Sequence, residues 1–75
     1  MAIHTLDAKD LTCPLPVLRA RKAIKHLVPD DVLVIEATDP AATKDFPAFC
    51  DATGHELLSV DQDGAVYTFR IRKAG

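Results

Sequence analysis

The segment Thr12-Cys13-Pro14-Leu15-Pro16-Val17-Leu18-Arg19-Ala20-Arg21-Lys22-Ala23-Ile24-Lys25-His26-Leu27-Val28 decides the architecture. Prolines near its head lack a backbone N–H, so they suit the opening turn of a helix and not its interior. At about 100° per residue, Ala20, Ala23, Ile24, Leu27 and Val28 gather around Val17 in one apolar sector. Arg19, Lys22, Lys25 and His26 fall opposite, Arg21 lies at the border, and Leu15 and Leu18 fall on the polar side. This pattern predicts an amphipathic helix from Pro14 to about Val28 with one face laid on a core.

The flanking residues read as strands. Ile3 to Ala8 forms a first strand, and Ala8 to Thr12 connects it to the helix. Pro29-Asp30-Asp31 ends the helix. Val32 to Thr38 is nearly all apolar, as an interior strand should be. Asp39-Pro40 breaks that strand, and a turn occupies Ala41 to Lys44. A second helix is expected from Asp45 as N-cap to Thr53, with Pro47 in its first turn and Gly54 just past its end. His55 to Asp61 is a third strand, Asp61-Gln62-Asp63-Gly64 a hairpin turn, and Ala65 to Lys73 a fourth strand. In the last, Tyr67, Phe69 and Ile71 alternate with Thr68, Arg70 and Arg72, so the arginines should face solvent. The order β-α-β-α-β-β, wound by right-handed crossovers, puts both helices on one face of the sheet. The expected fold is an α/β (α+β) two-layer sandwich with a four-stranded mixed sheet, one domain over residues 1–75.

Size and charge narrow the function. A chain of 75 residues buries only about 60–65% of its unfolded surface, too little for a deep enclosed pocket. Chemistry should therefore sit near the surface and be completed by a partner. The net charge of −2 and the few aromatics argue against direct nucleic-acid binding. Charge is uneven along the chain: Arg19, Arg21, Lys22 and Lys25 cluster, while acids dominate from Pro29 to Asp63. No apolar run approaches the roughly 18 residues of a membrane span. Met1 to Asp10 lacks the charged head and apolar stretch of a signal peptide, so the expected location is the cytoplasm. Nothing calls for more than a monomer.

Cys13 and Cys50 stand far apart without a Cys-x-x-Cys spacing, which favours free thiols in a reducing compartment. His4, His26 and His55 show no ligand spacing to either, so no metal and no cofactor are expected. Cys50, between Phe49 and Asp51, reads as a buried structural thiol, and Phe46 and Phe49 as core. Cys13 is placed differently. Read as the N-cap, with Pro14 at N1 and Pro16 at N3, it meets the positive end of the helix dipole, which favours a thiolate. A free thiol has a pKa of about 8.5, so modest stabilisation raises the thiolate severalfold at neutral pH. Because Pro16 lacks an N–H, fewer amides hold the sulfur, and two prolines stiffen its post. Spacing alone leaves two readings open, a reactive thiolate or a weak cap.

Cys13-Pro14-Leu15-Pro16 opening a helix after Leu6-Asp7-Ala8 resembles the TusA/SirA family of sulfur carriers. Asp39-Pro40-Ala41, Asp45-Phe46-Pro47-Ala48-Phe49-Cys50 and Gly54-His55-Glu56-Leu57 extend the likeness from Leu6 to Lys73. Thr12, Leu15 and Asp10 depart from it: the family often has a basic residue, a glutamate and a glycine there. The resemblance implies that Cys13 carries sulfane sulfur as a persulfide. It implies a cysteine desulfurase or rhodanese-type sulfur donor and a downstream sulfur-acceptor protein. Asp-Pro-Ala, Asp-Phe-Pro-x-Phe-Cys and Ile71-Arg72-Lys73 resemble most the branch that serves 2-thiouridine in tRNA. The alternative is a redox-sensing or regulatory interaction module. Transfer by attack of the Cys13 thiolate on a donor persulfide needs no base from this chain. The basic residues of the first helix read either as a solvated face or as a docking surface; the resemblance favours docking for Arg21 and Lys25, and Leu15 and Leu18, apolar on that basic face, suit a transient interface. Parallel first and second strands should bring Asp39 to the same rim as Cys13, where it could orient a partner.

Overall fold

Val32-Leu33-Val34-Ile35-Glu36-Ala37 is strand β2, and its apolar run explains its place inside the sheet. The computed structural model describes residues 2–75. On one side β2 pairs in parallel with β1 (Ile3–Ala8), Ile3 opposite Val32 and Ala8 opposite Ala37. On the other it pairs antiparallel with β4 (Val66–Arg72), Ile35 opposite Phe69. Strand β3 (Glu56–Asp63) closes the far edge against β4, giving the order β1-β2-β4-β3. Helices α1 (Leu15–Ile24) and α2 (Ala42–Thr53) both lie on one face of this mixed sheet. The expected β-α-β-α-β-β sandwich is the observed fold.

The core lies between the layers. Ala20 and Ile24 of α1, Ala42, Phe46 and Phe49 of α2, and Leu33, Ile35, Phe69 and Ile71 of the sheet are buried together. The opposite sheet face carries Arg70 paired with Asp61, Arg72 with Glu56, and Lys9 with Asp7 and Glu36. These pairs are exposed, and such pairs contribute little to stability. Asp31 is buried at the bottom of the sheet, where it accepts hydrogen bonds from the N–H groups of Ala2 and Val28 and faces His4. The Ala2 N–H first, then Val28 and His4, hold its carboxyl below the usual carboxylate range.

Several boundaries differ from expectation for local reasons. Helix α1 stops at Ile24, and the chain then tightens, His26 bonding back to Ala23 and Leu27 to Ile24. Leu27 stays in the core, but Val28, expected on the core face, is left 62% exposed. Helix α2 begins at Ala42, not after Asp45. Its start is built from short-range bonds, Ala42 N–H to Asp39 and Thr43 N–H to Pro40. Pro47 consequently lies inside the helix and not in its first turn. The β3–β4 turn falls later than Asp61–Gly64, because β3 runs on to Asp63 and Gly64 takes a φ of 59°.

Gly54 ends α2 with φ 81° and donates its N–H to the Cys50 carbonyl at 2.8 Å. A side chain there meets no neighbour, so the cost of adding one is purely conformational. Gly54→Ala should lower stability by about 1–2 kcal/mol, measured by urea unfolding, through the left-handed penalty alone. Asp10 also sits at positive φ, 66°, and donates its N–H to Thr38 Oγ1. Aspartate is among the few residues other than glycine that take this left-handed backbone readily.

Candidate functional site

Parallel pairing of β1 and β2 delivers the chain from both strands to one rim. There Thr12-Cys13-Pro14 leads into α1, and Thr38-Asp39-Pro40 leads into α2. Asp39 joins the two loops. Its Oδ2 accepts the Cys13 N–H at 2.6 Å, and its Oδ1 accepts the Ala41 N–H at 3.0 Å. The expected proximity of Asp39 to Cys13 is therefore observed, with the carboxylate clamping backbone to backbone.

Cys13 is exposed, but it is not the N-cap. Pro14 holds that position, Leu15 is the first helical residue, and Pro16 falls at N2 instead of N3. The Cys13–Pro14 peptide is cis. Cys13 thus stands one residue outside the helix, and no side chain caps the α1 terminus. Its thiol finds a different partner, donating to Asp45 Oδ2 at 3.0 Å. The direction of its pKa is opposite to the helix-dipole expectation. The hydrogen bond to Asp45 pushes the thiol up, helped by desolvation and by the charges of Asp45 and Asp39. Two nearby carboxylates outweigh a dipole that acts only within the first turn.

Cys13, Pro14, Val17, Arg21, Asp45 and Phe49 line a groove between α1 and α2. The Arg21 guanidinium carbon stands 5.7 Å from the centroid of the Phe49 ring, within reach of a cation–π contact. Arg21 therefore belongs to the sulfur's own groove. Leu15 and Leu18 are 43% and 50% exposed, as expected. They line a separate groove on the other flank of α1 with Leu6, Arg19, Lys22 and His26. Lys25 is exposed after the end of α1 and lines neither. The residues grouped by sequence are thus divided: Cys13, Arg21 and Asp39 gather at one rim, whereas Leu15 and Leu18 form an apolar patch on the far side of the helix.

Asp45 is the site residue that sequence reading missed. Asp39 followed by Pro40 and Ala41 carried the signal, since aspartate before proline is itself a helix-start pattern. Starting α2 there moves Asp45 one turn inward and onto Cys13. Cys50 is buried, and burial first, then the Asp51 charge, push its thiol up to about 11. Among the described residues, no three His, Cys, Asp or Glu side chains converge as a metal ion requires. Among them too, no helix is long and apolar enough to cross a membrane.

A family model described as sulfurtransferase TusA matches residues 4–73. The chain belongs to the TusA family. Membership supports a sulfur-carrying role and, with it, donor and acceptor partners for that sulfur. The crystal structure of a SirA-like protein from Desulfitobacterium hafniense shares the fold, with a TM-score of 0.82 and 24% identity over 100% of both chains. In this TusA-family chain the exposed thiol, the groove beneath it and the clamp of Asp39 coincide at the rim where two parallel strands end.

Proposed function

We propose that the chain accepts sulfane sulfur on Cys13 as a persulfide and hands it to an acceptor protein. The observation that carries this reading is the contrast between its cysteines: Cys13 lies exposed on a groove, and Cys50 is sealed in the core. The donor is a cysteine desulfurase or a rhodanese-type protein, and the relay serves 2-thiouridine in tRNA. The carrier works as one domain, residues 1–75, a cytoplasmic monomer without metal or cofactor. Arg21 in the sulfur's groove, Asp39 at the rim, Leu15 and Leu18 on the other flank of α1 and Lys25 beyond its end are the residues that partners read.

The chemistry conserves oxidation state. The Cys13 thiolate attacks the outer sulfur of the donor persulfide, the donor S–S bond breaks and a new S–S bond forms on Cys13. The donor sulfur leaves as thiolate and takes up the proton that Cys13 gave up. Incubation with an active cysteine desulfurase and L-cysteine should add a sulfur-sized increment to the intact mass of the chain. Absence of that increment, with desulfurase turnover confirmed, overturns the carrier reading.

A further inference from the structure

The Cys13–Asp45 contact bears on how firmly a sulfur is held. A carboxylate is an acceptor only, so it favours a partner that brings a proton. The empty thiol brings one, and Sγ donates it to Asp45 Oδ2 at 3.0 Å. A persulfide is more acidic than a thiol and ionises at neutral pH. Placed on Cys13, it sets a negative charge beside Asp45, with the Asp39 carboxylate also near. Arg21, the basic residue of the same groove, is engaged over Phe49. The acids on the sulfur's side thus face it from α2 and from the β2–α2 loop, and the base faces it from α1.

We propose that Asp45 sets the transfer potential of the bound sulfur: its carboxylate favours the empty, protonated Cys13 and repels the loaded, anionic one, so the cargo is released readily. This deepens the carrier reading and rests on it. Both states of the carrier contribute in the same direction. The hydrogen bond stabilises the reactant thiol, and like-charge repulsion destabilises the loaded product. Loading then depends on a strong donor, and unloading onto an acceptor thiolate runs downhill. The upward displacement of the Cys13 thiol agrees with the same geometry. It also makes the idle carrier sluggish toward stray electrophiles.

The test is an exchange equilibrium. Wild type, Asp45→Asn and Asp45→Glu are each brought to equilibrium with a fixed ratio of glutathione persulfide to glutathione, and loaded and empty chains are counted by intact mass. Asparagine keeps the shape of Asp45 and adds an N–H donor while removing the charge. The ratio of loaded to empty chain should rise about threefold to tenfold in Asp45→Asn. Asp45→Glu, which restores the charge, should return toward wild type. A merely structural role for Asp45 would alter stability or rate and leave this ratio unmoved. An Asp45→Asn ratio equal to or below wild type, with an unchanged circular dichroism spectrum, overturns the inference alone. No uptake by any of the three overturns the carrier reading and the inference with it.

Discussion

Cys13→Ser is expected to abolish sulfur uptake from the desulfurase, while Cys50→Ala keeps it near the wild-type level. Cys50 is only 5% exposed, on the inner face of α2, so a donor persulfide has no line of attack on it. With its thiol pushed up to about 11, a fraction of about one in ten thousand is ionised at neutral pH. Alanine removes the thiol without burying a hydroxyl that lacks a partner. Cys13 is also held up, by Asp45, but it is exposed and its proton lies at the surface. Intact mass of each variant after loading reads the result directly. Iodoacetamide supplies an independent check: the native chain should label at Cys13 alone, and the denatured chain at both cysteines. The Cys13 labelling rate should rise with pH through a midpoint above that of an ordinary thiol, because the proton that Asp45 retains must first leave. Uptake that survives Cys13→Ser would move the cargo site elsewhere.

The architecture was open to sequence reading because its signals are periodic and long. The apolar run of β2, the alternation in β4 and the apolar stripe of α1 each repeat one physical requirement over a whole element, so a boundary error leaves the element intact. The site depends on features of another kind. One residue of displacement at Pro14 takes Cys13 from the cap to the position before it. A start at Ala42 instead of Asp45 turns a presumed cap into the acceptor for the reactive thiol. Neither shift disturbs the core, and both alter the charge at the sulfur. The Cys13–Asp45 hydrogen bond is also a contact between different loops and helices, set by how α1 and α2 settle against each other. Nothing local to Thr12–Pro16 encodes it. The separation of Leu15 and Leu18 from the sulfur's groove is similar. A helical projection places them on the polar side, but the flank each occupies depends on where α2 and β1 lie.

Phe46→Ala is expected to remove about 3–5 kcal/mol of stability, enough to leave much of the population unfolded at 25 °C. Phe46 is fully buried and among the largest side chains of the core. Its ring lies 4.5 Å from that of Phe69, centroid to centroid, at 31°. The contact joins α2 to β4, and few other large side chains span the two layers in so small a domain. Truncation loses the burial and leaves a cavity that short, constrained elements cannot collapse around. Phe46→Leu keeps most of the volume and should lose much less, so the pair distinguishes packing from any effect of the backbone at this position. Urea denaturation followed by circular dichroism gives the free energies. The chemistry should report the same loss. Phe46 directly follows Asp45, and the packing of its ring sets the placement of α2 that brings the carboxylate to Cys13. As α2 loosens, Cys50 should become open to iodoacetamide and Cys13 should label faster, no longer bonded to Asp45. A Phe46→Ala chain that stays folded and keeps Cys50 protected would show that the layers are held by contacts other than this aromatic pair.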